Sequence, residues 1–386
     1  MLFHGELVND FDVHKIVKSI FGSSEHAKRL TSISNAALGI ISSGSLIIHR
    51  IGRGLASALN LSDKHAVKQV DRLLSNPKLK ISNTAEMWVP FVIGARKEVK
   101  ITMDWTEFYP DNHSTICLNL VTSHGRATPL LWKTVNREKL KNNRNNYEDE
   151  ILCQLKNLVA EDVKVTILAD RGFCDIKLFE FIKNELGFEY NIRIRGNITA
   201  TSQTGEKRTA KEWVGESGRT RTIRKAKITH EKYEVGTLIC TQQKDMKEAW
   251  CIVSSEKDIS GSGAVKWYAK RWGCEPQFRD TKDMHFGMGL SETHIKDVDR
   301  RDRLLLIHAI ATAVLTIFGA AGEAIGLDKY LKVNTVKHRT LSLFRQGCIY
   351  FTRIPKMVHE TLEKLLTEFY NMIEQNKNLS EILGVI

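Results

Sequence analysis

Between residues 98 and 196 the hydrophobic pattern switches repeatedly between a period of two and the spacing of a helix, and the order of the switches constrains the fold more than any other feature. EVKITMDWTEF, STICLNLVTS and ATPLLWKTV are rich in β-formers, separated by turn residues, and predict three consecutive strands. A helix (YEDEILCQLKNLVA) follows, then an apolar strand (VKVTILAD), a second helix (DIKLFEFIKNEL) ended by Gly187, and a strand (FEYNIRIRG). Three meandering strands followed by alternating units, βββαβαβ, can bury their apolar faces only as a mixed sheet with helices on its faces.

That sheet does not account for all 386 residues, a length that suggests two to four structural units. Residues 1–92 read as helical, with apolar positions at helical spacing in DFDVHKIVKSIF and in HAKRLTSISNAALGIISSGSL. The clearest helix begins after the N-cap Ser62: Val67, Val70, Leu73 and Leu74 share one face, and Lys64, Lys68 and Arg72 form a basic stripe elsewhere. Such a stripe suits DNA phosphates, though taken alone it reads more plainly as the solvated face of an amphipathic helix. The sheet domain is expected over 93–197 and 252–325. Residues 198–251, polar, basic and strand-prone, read as a β-rich insertion. Residues 326–386 read as a helical region. In its last helix Val358, Leu362, Leu365, Phe369 and Ile373 fall at helical spacing, suited to a dimer contact or to packing on its own chain.

The formal net charge of +12, with a pI near 9.3, favours a polyanionic partner if it gathers on one face. Seven cysteines without CxxC spacing indicate neither a zinc site nor a redox pair and fit a reducing cytoplasm. The first residues, MLFHGELVNDFDVHK, lack the apolar run of an export signal. Leu304–Gly322 is uncharged and long enough to test as a membrane span. His308, Thr312, Thr316 and the preceding DVDRRDR favour a buried core helix, so no membrane partner is expected.

The candidate chemistry is acidic. Asp104 sits late in the first strand and Asp170 follows the apolar strand 163–169, where a carboxylate is held rigidly with room for a metal outside the sheet. Asp also starts turns for purely local reasons. Tyr268, Arg271, Glu275 and Lys282 stand at offsets 0, +3, +7 and +14, which on a helix fall within a sector of roughly 60°. A carboxylate flanked by cations and a phenol can hold a metal while the cations grip phosphates. The plainer alternative is an i, i+4 surface pair of Arg271 and Glu275. Pro276 disfavours helix at Glu275, so a kink or restart is expected there.

YAKRWGCEPQFRDTK carries the Y-x2-R-x3-E-x6-K signature and resembles the IS4 family of insertion-sequence transposases, including Trp272 after the arginine. MDWTEF and ILADRGF resemble that family's first and second aspartate strands, in the same order, over residues 98–320. The strand order, too, is that of a ribonuclease-H-like α/β fold. The resemblance implies a bacterial, nucleoid-associated enzyme in which Asp104, Asp170 and Glu275 form a D-D-E site for two Mg²⁺ ions, with Mn²⁺ able to substitute. It implies that Tyr268, Arg271 and Lys282 hold DNA phosphates near the cut, and that Trp250 stacks a flipped base. Trp250 suits equally well the part of a buried aromatic anchoring the insertion. The implied partners are terminal inverted repeats, target DNA and a second protomer, with strongly salt-dependent DNA binding. Two alternatives remain open: a ribonuclease-H-like nuclease that cuts without joining, and a non-catalytic DNA-binding descendant.

Overall fold

A computed structural model describes residues 13–122, 126–244, 246–273, 275, 281–282, 288–374 and 382–383. Among the described residues five helices precede the strands: α1 (Val13–Phe21), α2 (Ala27–Ser43), α3 (Ile48–Leu59), α4 (Asp63–Leu74) and α5 (Ile81–Ile93). Ser62 caps α4 by accepting from the His65 backbone N–H at 3.4 Å, and Val70, Leu73 and Leu74 are buried below it.

The central elements are β1 (Glu98–Phe108), β2 (His113–Leu120), β3 (Thr128–Asn136), α6 (Arg144–Leu158), β4 (Lys164–Ala169), α7 (Ile176–Glu180, continued by a π-turn to Glu185) and β5 (Glu189–Ile194). β1 pairs antiparallel with β2 and parallel with β4, and β4 pairs parallel with β5. The two parallel pairings follow from the helices between the strands, since only a crossover connection returns a strand in the same direction. Ile101, Met103, Ile167, Ala169 and Ile192 are wholly buried.

Residues 198–254 do two different things. β6 (Thr199–Thr201), β7 (Lys207–Thr209), β9 (Lys227–Ile228) and β10 (Tyr233–Glu234) form a separate small sheet. β8 (Arg221–Arg224), β11 (Thr237–Thr241) and β12 (Trp250–Ser254) instead extend the main sheet beyond β5, which then runs β3-β2-β1-β4-β5-β12-β11-β8. The main chain therefore leaves the large sheet and re-enters it before residue 252, and the 251/252 boundary falls inside β12.

α8 (Gly261–Lys270) follows, and then α9 (Val298–Ala324), in which Leu304–Gly322 is buried throughout except for the half-buried Leu305. Three consecutive polar residues of DVDRRDR dock α9. Arg301, fully buried, pairs with Asp111 and donates from Nε to His113 Nδ1 at 3.1 Å. Asp302 accepts from the Thr134 backbone N–H at 3.1 Å, while its own carbonyl accepts from Trp132 Nε1 at 3.0 Å. Arg303 donates to the carbonyls of Leu74 (2.9 Å) and Leu79 (3.0 Å), tying α9 to the end of α4. The apolar run is a core helix with polar anchors at its entrance.

α10 (Leu343–Arg353) and α11 (His359–Glu374) complete the described helices. Leu362, Leu365 and Phe369 are buried, the Phe369 ring meeting Phe318 of α9 edge-on at 5.4 Å. The apolar face of α11 is thus covered by its own chain, and Val358 lies outside the helix and is exposed. α10 crosses α9 so closely that a Cβ on Gly319 would overlap the Leu343 carbonyl oxygen. A Gly319→Val protein is expected to lose about 1–3 kcal/mol of stability by overpacking, read as a lower midpoint in chemical denaturation; an unchanged midpoint would show that the crossing can open freely.

Candidate active site

The β1–β4 ladder ends at Met103↔Ala169. Asp104 and Asp170 are the next residues on the two chains, so both carboxylates begin where the parallel strands stop sharing hydrogen bonds. β1 itself continues to Phe108 on its β2 side alone. The carboxyl ends of parallel strands are where α/β sheets offer a cleft to ligands. Asp170 caps the turn that follows, its Oδ1 accepting from the Gly172 backbone N–H at 2.7 Å. Asp104 Oδ1 accepts from the Trp105 backbone N–H at 2.9 Å.

Arg271, just past α8, is largely buried and spans two acids: Nη1 lies 3.4 Å from Asp104 Oδ2 and Nη2 lies 3.6 Å from Glu275 Oε1. The expected i, i+4 pair is therefore present, but it extends inward to the sheet. Glu275 is half-exposed. Lys282 donates from Nζ to the Glu107 carbonyl at 2.8 Å and lies 4.7 Å from the centre of the Phe108 ring. Tyr268 is buried, with the Arg271 guanidinium 5.8 Å from its ring centre. Trp250 is half-buried and meets Tyr268 edge-on at 5.1 Å, packed with Ile239, Ile252 and Val265, while Trp272 keeps about half its surface in solvent (49%). Trp250 thus packs edge-on to Tyr268 while remaining partly exposed, and Trp272 is the more open ring.

Lys64, Lys68 and Arg72 are exposed on α4, among the N-terminal helices. Arg72 also lines a groove with Lys28, Gln69 and Lys78 that Lys64 and Lys68 do not enter. Cys274 and Pro276, and with them the expected kink, lie outside the described residues.

Burial raises the Asp104 pKa to about 6, against the pull of Arg271 and with Asp170 and Glu275 pushing it the same way as burial. Burial also holds the Lys282 ammonium below its ordinary value. Among the described residues, no three His, Cys, Asp or Glu side chains form a ready-made metal cage. Arg271, which reaches both Asp104 and Glu275, supplies the positive charge between them. The donor set is nonetheless all carboxylate oxygen, which suits a hard divalent cation such as Mg²⁺ or Mn²⁺. A cation would also relieve the mutual repulsion that helps hold Asp104 protonated.

A carboxyl whose folded-state pKa lies above its ordinary 3.8 binds its proton more tightly when folded, so ionising Asp104 costs the metal-free protein stability as pH rises toward 6. A cation must displace that proton. Apparent Mn²⁺ affinity should climb steeply up to about pH 6 and flatten above it. Calorimetric titrations between pH 5 and 8 that show a flat profile would remove Asp104 from the metal site.

The rim carries charged groups that the linear sequence did not single out. Glu248, two residues before β12, pairs with Arg193 of β5 at 2.8 Å and with Arg171, next to Asp170, at 3.3 Å. Glu248 and Arg171 lie 77 residues apart, so no local pattern signals the pairing.

Residues 133–314 match the family model described as "Transposase DDE domain". The match covers a little under half of the chain. It includes Asp170, Glu275, Tyr268, Arg271, Lys282, Trp250 and Trp272 and begins after Asp104. It supports a DDE transposase, and the mixed eight-stranded sheet flanked by helices is consistent with the ribonuclease-H-like form of that domain. No curated protein matches the chain.

Proposed function

We propose that the chain is a cut-and-paste DNA transposase that binds the terminal inverted repeats of its own element, excises it and joins the freed 3′ ends to target DNA. The observation that carries this reading is the meeting of two parallel strand ends at Asp104 and Asp170, with Arg271 reaching from α8 to both Asp104 and Glu275. The domain match at 133–314 supports the same chemistry, polynucleotidyl transfer. The finer assignment, to the IS4 family, rests on Y-x2-R-x3-E-x6-K from Tyr268 to Lys282.

In this reading Asp104, Asp170 and Glu275 hold two Mg²⁺ ions, for which Mn²⁺ can substitute. Such ions, when bound, lower the pKa of an attacking water or 3′-hydroxyl and neutralise the leaving oxygen. The remaining work is positioning and charge neutralisation, which phosphoryl transfer requires more than covalent help. Arg271 releases its carboxylate partners and turns its planar fork to the scissile phosphate, a geometry that lysine cannot reproduce. Lys282, kept beside the sheet by the Glu107 carbonyl, adds a second cation, and the Tyr268 hydroxyl adds a donor. Lys64, Lys68 and Arg72 contribute backbone contacts to the element ends, Trp272 and Trp250 supply aromatic surface to unpaired bases, and two protomers act on paired ends.

Precut element ends, labelled target DNA and Mg²⁺ test the reading. Joined product is the expected result. Cutting without joining would favour a ribonuclease-H-like nuclease, and binding without either would favour a DNA-binding descendant.

A further inference from the structure

Side chains alternate across a strand, so Trp105 leaves β1 on the face opposite Asp104. There the first turns of α6 meet the end of β1 and the turn that follows β4. Trp105 Nε1 donates to Glu148 Oε1 at 2.8 Å, and Arg144 Nε donates to the same oxygen at 3.2 Å. The Arg144 guanidinium lies 5.2 Å from the centre of the Trp105 ring and 6.0 Å from that of Phe173. Asn145 Nδ2 donates to Asp175 Oδ2 at 2.9 Å, and Asp175 in turn caps α7. Residues 144–148 therefore touch the residue after Asp104 and two residues of the turn after Asp170. Glu148 is buried to 5% exposure while the Arg144 side chain keeps half its surface in solvent, and such a half-exposed i, i+4 pair is worth little to stability. None of the chemistry proposed above uses it.

We propose that Arg144 and Glu148 are positioning residues: a clamp behind the sheet that sets the spacing of the Asp104 and Asp170 carboxylates, so that the two can share a divalent cation. The inference rests on the metal-site reading above. Glu148 fixes the edge of the Trp105 ring, and with it the backbone that aims Asp104. Arg144, donating to Glu148, lies near Trp105 and Phe173 together and couples the Asp104 strand to the Asp170 turn. Outer-shell contacts of this kind typically change metal affinity by about 10–100-fold when removed.

The test uses full-length Arg144→Met protein, which keeps the apolar stem and loses the planar cation. Mn²⁺ binding, followed by calorimetry or electron paramagnetic resonance, should weaken about tenfold or more. The Mg²⁺ concentration for half-maximal cleavage should rise in parallel, with DNA affinity unchanged. Arg144→Lys, which keeps charge without a flat ring-stacking surface, should fall between. Wild-type Mn²⁺ affinity in folded Arg144→Met protein, with only a lower melting temperature, would make the cluster merely structural and overturn the clamp. Should Arg144→Met fail to fold, Glu148→Gln, which keeps the acceptor for Trp105 and loses the attraction for Arg144, is read the same way. Asp170→Asn separates the two ideas. If it binds Mn²⁺ like wild type, the metal site itself is misassigned; if it loses Mn²⁺ while Arg144→Met retains it, only the clamp fails.

Discussion

Asp170→Asn protein should bind DNA with wild-type affinity and cut it on the order of 10³-fold more slowly. The substitution is nearly isosteric, and an amide oxygen can still accept the 2.7 Å bond from the Gly172 backbone N–H, so the turn after β4 should survive. What disappears is one unit of negative charge where two parallel strands end together. A misheld cation forfeits several kcal/mol of transition-state stabilisation, and about 4 kcal/mol corresponds to a thousandfold in rate. Single-turnover cleavage with Mg²⁺ measures the loss, and fluorescence anisotropy on the same duplex measures binding. Cleavage near the wild-type rate would exclude Asp170 from the site, and with it the pairing of strand ends on which the functional reading depends.

Arg301→Leu should be the most damaging substitution away from the site. The side chain is fully buried, and its partner Asp111 sits in the turn between β1 and β2 at 3% side-chain exposure. Removing the arginine leaves that carboxylate desolvated and uncompensated, a change that costs about 3–5 kcal/mol. Arg301 also stacks 4.2 Å from the Phe108 ring, with Lys282 4.7 Å from the same ring. The damage should therefore reach the site through the end of β1. Denaturant titration reads the effect. Because most of the cost comes from the orphaned Asp111, the double variant Arg301→Leu/Asp111→Leu should recover a large part of it. A double variant no more stable than the single would refute the desolvation argument.

Much of this architecture is legible in the linear sequence because the relevant signals are local. Period-two alternation in EVKITMDWTEF and helical spacing after Ser62 describe which atoms of one segment face the same way, and the segments fold accordingly as β1 and α4. The segment 198–251 is less legible. Short basic strands such as RTIR and KRT read alike, yet the first, β8, joins the large sheet while the second, β7, pairs in the small one. Strand propensity says that a strand will form but not which edge it will find. DVDRRDR was visible as a charged entrance to an apolar run; its use as three separate anchors, to Asp111, Thr134 and the end of α4, depends on elements more than a hundred residues away.

The candidate site divides in the same way. The sequence by itself determined the supply of groups: two aspartates at apolar strands, and a tyrosine, arginine, glutamate and lysine at helical offsets. The single stripe those offsets predict is broken, α8 ending at Lys270 with Arg271 in the 3-10 turn after it. Only the tertiary structure decided that β4 stops at Ala169 beside Met103, that Arg271 turns inward to Asp104 as well as to Glu275, that Trp250 meets Tyr268 edge-on, and that Arg144 lies between the end of β1 and the turn after β4. The physical reason is range. Backbone propensity and periodicity act over a few residues along the chain. Desolvation, ion pairing and strand register act through space between residues that the chain order leaves far apart.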